Sequence, residues 1–152
     1  MATPGSSLTQ RVEQDMKDAL RAREKRRLGT LRLILAAIRQ REIDERVRLD
    51  DQQVMVVLDK LIKQRRESVV HYQAAARADL VEQESYEIQV IQEFLPAALG
   101  EAEVEALITE ALSVTGAQTQ RDMGKVMAHL KPLLQGRADM GQVSARVKGR
   151  LA

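Results

Sequence analysis

The chain has 152 residues, 44% of them apolar, 30% charged and 2% aromatic, with 24 basic against 22 acidic side chains and a formal net charge of +2. That is enough apolar material for one sizeable domain or two small ones, and the lack of cysteine removes disulfides, thiolate metal sites and any cysteine nucleophile. A cysteine-free chain makes the cytoplasm the default compartment; no membrane partner is expected either, because the longest apolar run, Leu33 to Ile38, falls far short of the ~18–20 residues of a bilayer span, and no basic-then-apolar leader opens the chain.

Apolar residues recur at spacings of three and four, with hardly any alternation, so the reading is all-α and multihelical. Glycine and proline are absent between Thr30 and Leu95, whereas Pro96 to Ala152 holds six of the eight glycines and two of the three prolines. Long helices are therefore expected first and short ones after. This gives a mobile tail over 1–7 with nothing to bury, a long-helix N-terminal subdomain over 8–95 and a three-helix C-terminal subdomain over 96–152.

The first helix is expected from Leu8 to Arg27, with Val12, Met16, Ala19 and Leu20 inward and a break at Gly29. A second, Thr30 to Arg48, turns Leu31, Ile34, Leu35, Ile38 and Val47 inward. Asp50 followed by Gln53 reads as a capping box for a third helix reaching Arg77, whose stripe includes Val54, Val57, Leu58, Leu61, Ile62, Val69 and Tyr72. Asp79 with Glu82 repeats that signal for a fourth helix, with Ile88 and Ile91 inward, ending before Pro96. The fifth, Glu101 to Val114, buries Val104, Leu107, Ile108 and Ala111 and closes at Gly116. A sixth spans Asp122 to Leu134 on Val126, Met127, Leu130 and Leu134, with Pro132 placed to break or kink its last turn. The seventh starts at Asp139 with Gln142 as partner and repeats Val143, Val147 and Leu151.

Charge is distributed unevenly. Arg21 to Arg41 holds eight basic residues against Glu24 alone, a density suited to phosphates and equally to a solvated helix end in which Arg26 and Arg27 are balanced by carboxylates of neighbouring helices. Pro96 to Leu112 has four acids and no base, whereas Ser113 to Ala152 has seven bases against Asp122 and Asp139. In that basic half, Asp122-Met123-Gly124-Lys125 and Gly136-Arg137-Ala138-Asp139 set glycine turns and cations beside helix starts, where backbone N–H groups attract anions unless the two aspartates cap them. Tyr72, Tyr86 and Phe94 are the only aromatic residues, too few for a base-stacking platform, so RNA would be met through its backbone. Enzymatic signals are weak: no phosphate-loop, GxGxxG, HExxH or GxSxG pattern occurs, His71 and His129 are isolated, and Ser6-Ser7 falls in the tail.

Several runs together resemble one family. They are Lys17 to Lys25, Leu28 to Arg39, Asp122 to Met127 and Gly136 to Ser144, and in this order they are similar to the YqeY proteins of the GatB/YqeY family nearly end to end. Gly100 stands where that pattern leads one to expect a serine cap. The resemblance implies an all-helical protein of two subdomains, the smaller similar to the tRNA-contacting tail domain of the GatB subunit of glutamyl/aspartyl-tRNA amidotransferase. Related domains are appended to some glutaminyl-tRNA synthetases. Carried over by position, tRNA contacts would come from Lys125, Lys131, Gly136, Arg137, Arg146 and Lys148, with Arg23, Arg26 and Arg27 as a second contact. The expected function is non-catalytic tRNA binding, with an aminoacyl-tRNA synthetase or amidotransferase as a further partner. The alternatives are a carbon–nitrogen ligase activity with glutamine as amido-N-donor, an accessory subunit of such an enzyme, or a helical protein–protein interaction module. No catalytic residue, metal or cofactor is assigned, since transamidation needs an ammonia source, an activated acyl group, metal and nucleotide, and no residue set for them stands out.

Overall fold

The computed structural model describes residues 5–152 and is all-α: seven helices and one short 3₁₀ turn, with no strand among the described residues. The helices are α1 Ser7–Arg21, α2 Lys25–Glu45, α3 Asp51–Ala74, α4 Ala78–Gln92, α5 Glu101–Thr115, α6 Met123–Leu134 and α7 Met140–Arg150, with the 3₁₀ turn at Gln120–Asp122. The chain divides into two compact units at the Leu95–Pro96 junction. Residues 1–4 of the expected tail lie outside the described residues.

In the first unit α1 packs on α2 and α3 on α4, and the two pairs close around one core. Val12, Leu31, Ile34, Ile38, Leu49, Val54, Leu58, Ile91 and Phe94 are all but fully buried there. Several boundaries depart from the sequence reading. Ser6 and Ser7 are not idle tail. Ser6 caps α1 by accepting from Leu8 N and Thr9 N at 3.1 and 3.3 Å, and both hydroxyls donate to the Asp51 carboxylate at the start of α3. Those bonds, Ser6 first, hold the Asp51 carboxyl below the usual carboxylate range.

The first break comes at Ala22–Glu24 rather than Gly29. Arg23 adopts φ +59°, and Glu24 N bonds to Ala19 O at 2.9 Å while Arg23 N bonds to Leu20 O at 3.2 Å, a Schellman closure. Gly29 sits inside α2, where its cost of ~1 kcal/mol relative to alanine is outweighed by continuing the stripe back to buried Leu28. Two expected core residues face outward: Leu20 is 58% exposed and Val47, beyond the end of α2, 47%.

The same closure ends α2 at Arg46 and α3 at Ala76, with φ +55° and +54°. At Ala76 the bonds run from Ala76 N to Gln73 O and from Arg77 N to Tyr72 O, at 3.1 and 2.9 Å. An L-residue with a Cβ pays ~1–2 kcal/mol in this region. Ala76→Gly is therefore expected to stabilise the protein by about 0.5–1 kcal/mol after the added freedom of the unfolded chain is subtracted. The midpoint of urea unfolding checks this: it should rise, and a fall would mean the turn relaxes without cost.

The Asp50–Gln53 capping box forms in both directions. The similar Asp79–Glu82 pattern does not, because Asp79 is taken by a two-pronged bond from Arg77, both contacts 3.1 Å, and α4 opens at Ala78 without a side-chain cap.

The second unit packs α5, α6 and α7 around Ile108, Ala111, Val126, Leu130, Leu134, Val143 and Val147. Gly100 precedes α5 with no side-chain cap, and Gly116, at φ +65°, closes it. Pro132 neither breaks nor ends α6, which runs on to Leu134. Its missing N–H costs α6 the one bond that residue 132 would donate to the carbonyl of residue 128, and the helix holds without it. Residue 152 pairs its backbone in both directions with the entry to the 3₁₀ turn, Ala152 N to Gln118 O and Gln120 N to Ala152 O.

Candidate functional site

The basic half of the second unit turns on the reversal between α6 and α7. Gly136, at φ +80°, supplies a left-handed backbone position that other residues rarely adopt. Arg137 N and Ala138 N then close on Leu134 O at 2.8 and 3.1 Å. Arg137 is tied to the approach to α5 at two points, since its carbonyl accepts from Leu99 N at 2.9 Å and its Nε donates to Ala97 O at 3.3 Å. No carboxylate lies within ion-pair distance of its guanidinium among the described residues, so its two Nη groups remain for another acceptor.

The backbone N–H groups expected at the two helix starts behave differently. At α7, Asp139 accepts from Gly141 N and Gln142 N at 2.9 and 3.2 Å, so its own carboxylate occupies the position an anion would take. At α6 the expected cap fails: Asp122 turns back to accept from Gln118 N and Thr119 N at 2.9 and 3.2 Å. These bonds hold its carboxyl below the usual range. Gly124 faces open space, so close packing does not demand a glycine there.

The cations predicted from sequence are scattered. Lys125 is exposed, with Asp122 the one carboxylate near it among the described residues, at 3.9 Å. Lys131 is exposed on α6, six residues on and therefore about 120° away around the helix. Lys148 is exposed on α7 and, like Lys131, forms no ion pair among the described residues. Arg146 is drawn instead to the acidic edge of α5, 3.6 Å from Glu101 and 3.3 Å from Glu105. Arg150, which the sequence reading left aside, joins that edge through Glu105 and donates to the Thr109 hydroxyl at 2.8 Å. Arg137 and Arg146 line one recess, a cavity of about 200 Å³ whose walls also include Glu101 and Asp139.

In the first unit half of the dense basic stretch is neutralised locally. Arg26 pairs with Glu82 at 2.5 Å and lies over the Tyr86 ring at 3.9 Å. Arg27 pairs with Glu93 at 2.6 Å and Asp15 at 3.5 Å. Arg39 and Arg41 meet Glu13 and Glu45. Arg26 and Arg27 thus each hold carboxylates distant in sequence within ion-pair reach, so their charge is partly met inside the first unit. Arg23, beside Arg21, Lys25 and Arg32, stays exposed without an ion pair among the described residues.

A larger recess of about 430 Å³ lies in the first unit, between α1 and the end of α2. Its lining comes from positions spread between Gly5 and Arg48, with no motif to mark it, and sequence reasoning passed over Thr9 and Arg48. No helix of the described residues is long and apolar enough to cross a membrane, and no group of three or more metal-ligating side chains gathers among them.

A family model described as Yqey-like protein matches residues 9–151. The protein named "Altered inheritance of mitochondria protein 41, mitochondrial" of Pyrenophora tritici-repentis is 30% identical over 151 residues, covering 97% of this chain and 82% of its own length. Proteins of the same name from Eremothecium gossypii and Kluyveromyces lactis are 39% and 36% identical over 101 and 106 residues. The chain spans 55% and 57% of the length of those two. These names overturn the cytoplasmic expectation. A lack of cysteine says only that nothing in the chain depends on an oxidising compartment; it does not supply an address.

Proposed function

The chain belongs to the YqeY-like protein family, and from that premise we propose that it is a helical tRNA-binding protein that makes and breaks no bonds itself. The observation that carries this reading is Arg137, whose carbonyl accepts from Leu99 N and whose Nε donates to Ala97 O, with no carboxylate within ion-pair distance of its guanidinium among the described residues. A guanidinium held in place and left unneutralised is suited to a bidentate grip on phosphate. Lys125, Lys131 and Lys148 add exposed positive charge at separate places on the same unit, a distribution that suits a folded polyanion better than a flat partner. Arg146 takes no part, because Glu101 and Glu105 already satisfy it. A synthetase or an amidotransferase that handles the same tRNA is the natural protein partner of such an accessory.

Combining Lys125→Ala with Arg137→Ala is expected to weaken tRNA binding and to shallow the slope of log affinity against log salt by about two, roughly one per lost phosphate contact. Fluorescence anisotropy titrations at several salt concentrations read both quantities. An unchanged slope removes these residues from the interface, and equal competition by any unrelated RNA favours a general cationic interaction module instead. Conversion of Glu-tRNA to Gln-tRNA by the purified chain, supplied with glutamine, ATP and magnesium, would overturn the non-catalytic part of the reading.

A further inference from the structure

We propose that the recess between α1 and the end of α2 binds a free α-amino acid with an aliphatic side chain. At about 430 Å³ it falls within the ~300–1,000 Å³ typical of small-molecule sites. Its charged lining consists of two guanidiniums, Arg39 and Arg48, and two carboxylates, Glu13 and Glu42. The signs cancel, so a simple anion or cation gains from one pair and is opposed by the other, whereas a zwitterion satisfies both.

The remaining walls supply the other half of the match. Ile43 and Val47 line the recess and are 70% and 47% exposed, large β-branched side chains left uncovered where an aliphatic group could lie on them. Thr9 also lines it, and its hydroxyl oxygen is buried with no hydrogen-bond partner among the described residues. A hydroxyl both donates and accepts, and leaving one buried and unsatisfied costs about 1–3 kcal/mol. A turn of the Thr9 side chain about χ1 would bring that hydroxyl into the recess, where a ligand carboxylate or ammonium would meet its need.

The charged groups are placed for use. Arg48 forms no ion pair among the described residues, and its Nη1 would stand 3.2 Å from a Cβ at position 5, so Gly5 leaves the guanidinium its space. Among the described residues Arg39 makes one ion pair, a long, exposed contact to Glu13 at 3.4 Å, which is inexpensive to open. Glu42 is oriented by accepting from Leu49 N at 3.0 Å with one oxygen, which leaves the other for an ammonium.

The test is a titration of L-leucine into the ¹⁵N-labelled full-length chain, followed by amide shifts at Thr9, Ile43 and Val47. For a ligand of this size saturable binding is expected with a Kd on the order of 1 mM. 4-Methylpentanoate, which lacks the ammonium, isoamylamine, which lacks the carboxylate, and glycine, which lacks the side chain, should each bind about tenfold more weakly, the worth of one charged or apolar contact. Arg48→Ala, an exposed change, should weaken leucine binding by a similar factor, and Thr9→Val should weaken it while leaving the melting temperature intact or raised. Absence of saturation overturns the proposal. So does equal binding of 4-methylpentanoate or inorganic phosphate, which would mark a plain anion site, and so does unaltered binding by Arg48→Ala.

Discussion

Arg65→Ala is expected to destabilise the protein by about 3 kcal/mol at neutral pH, the scale for stranding one partner of a buried ion pair. Arg65 bridges α3 and α4: its Nε meets Glu87 Oε2 at 2.8 Å, and the two side chains are only 14% and 13% exposed. Its Nη1 donates to Leu61 O at 3.2 Å, and Gln83 Nε2 donates to the other Glu87 oxygen at 3.2 Å. Glu84 faces the same cluster. Burial first, and then the charge of Glu87, push its carboxyl above the usual range, while Arg65 pulls it back.

The sign of the pH dependence follows. A carboxyl whose pKa is higher folded than unfolded favours the protonated form in the fold, so stability is lost as pH rises from the ordinary carboxylate range through the folded value. Removing Arg65 takes away the cation that pulls the Glu84 carboxyl back down and so enlarges that loss. The difference between the parent and Arg65→Ala should therefore be greatest near pH 7 and shrink as pH falls into the carboxylate range. Urea unfolding at several pH values measures it. A deficit independent of pH would mean that the arginine stem stabilises by packing and not by charge. Replacing the pair together, Arg65→Met with Glu87→Leu, should cost far less than Arg65→Ala, because no buried charge is then left alone.

The contrast between Asp50 and Asp79 shows what a sequence reveals here. Both begin an Asp-x-x-acceptor pattern, and the Asp50 box forms because its partner is its own backbone three residues on. Asp79 fails because a competitor two residues earlier, Arg77, reaches it first. The core stripes of α2, α3 and α6 were legible because burial follows helical period. Helix ends at Arg23, Arg46 and Ala76 were not, since a left-handed closure without glycine leaves no compositional mark. The candidate interface divides in the same way. Arg137 could be singled out beside Gly136 and Asp139, whereas the neutralisation of Arg146 could not be foreseen, because Glu101 and Glu105 lie more than 40 residues away and meet it only once α5 packs against α7. Arg26 and Arg27 differ from it: their balancing by carboxylates of neighbouring helices was one of the two readings the basic stretch allowed, and the pairs with Glu82, Glu93 and Asp15 follow it.

Leu130→Ala is expected to cost the second unit about 2–5 kcal/mol, the range for a buried leucine cut to alanine where neighbours cannot collapse. Leu130 is fully buried on α6, in a core shared with Ile108, Val126, Val143 and Val147. That unit runs from Pro96 to Ala152, and at roughly 0.05–0.15 kcal/mol per residue a segment of this length holds on the order of 3–9 kcal/mol in all. Most of its margin would go with one side chain. Amide exchange in α5, α6 and α7 should accelerate accordingly, and tRNA affinity should fall with it, because the Gly136 reversal that fixes Arg137 hangs on Leu134 O at the end of the same helix. Comparison with the Lys125→Ala, Arg137→Ala double variant separates the two causes. If the cations touch RNA directly, the double variant loses affinity and salt slope with α6 exchange unchanged, whereas Leu130→Ala loses affinity in proportion to its exchange. If the double variant accelerates exchange as much as Leu130→Ala does, Arg137 acts through its bond to Ala97 O, and its part in binding is structural.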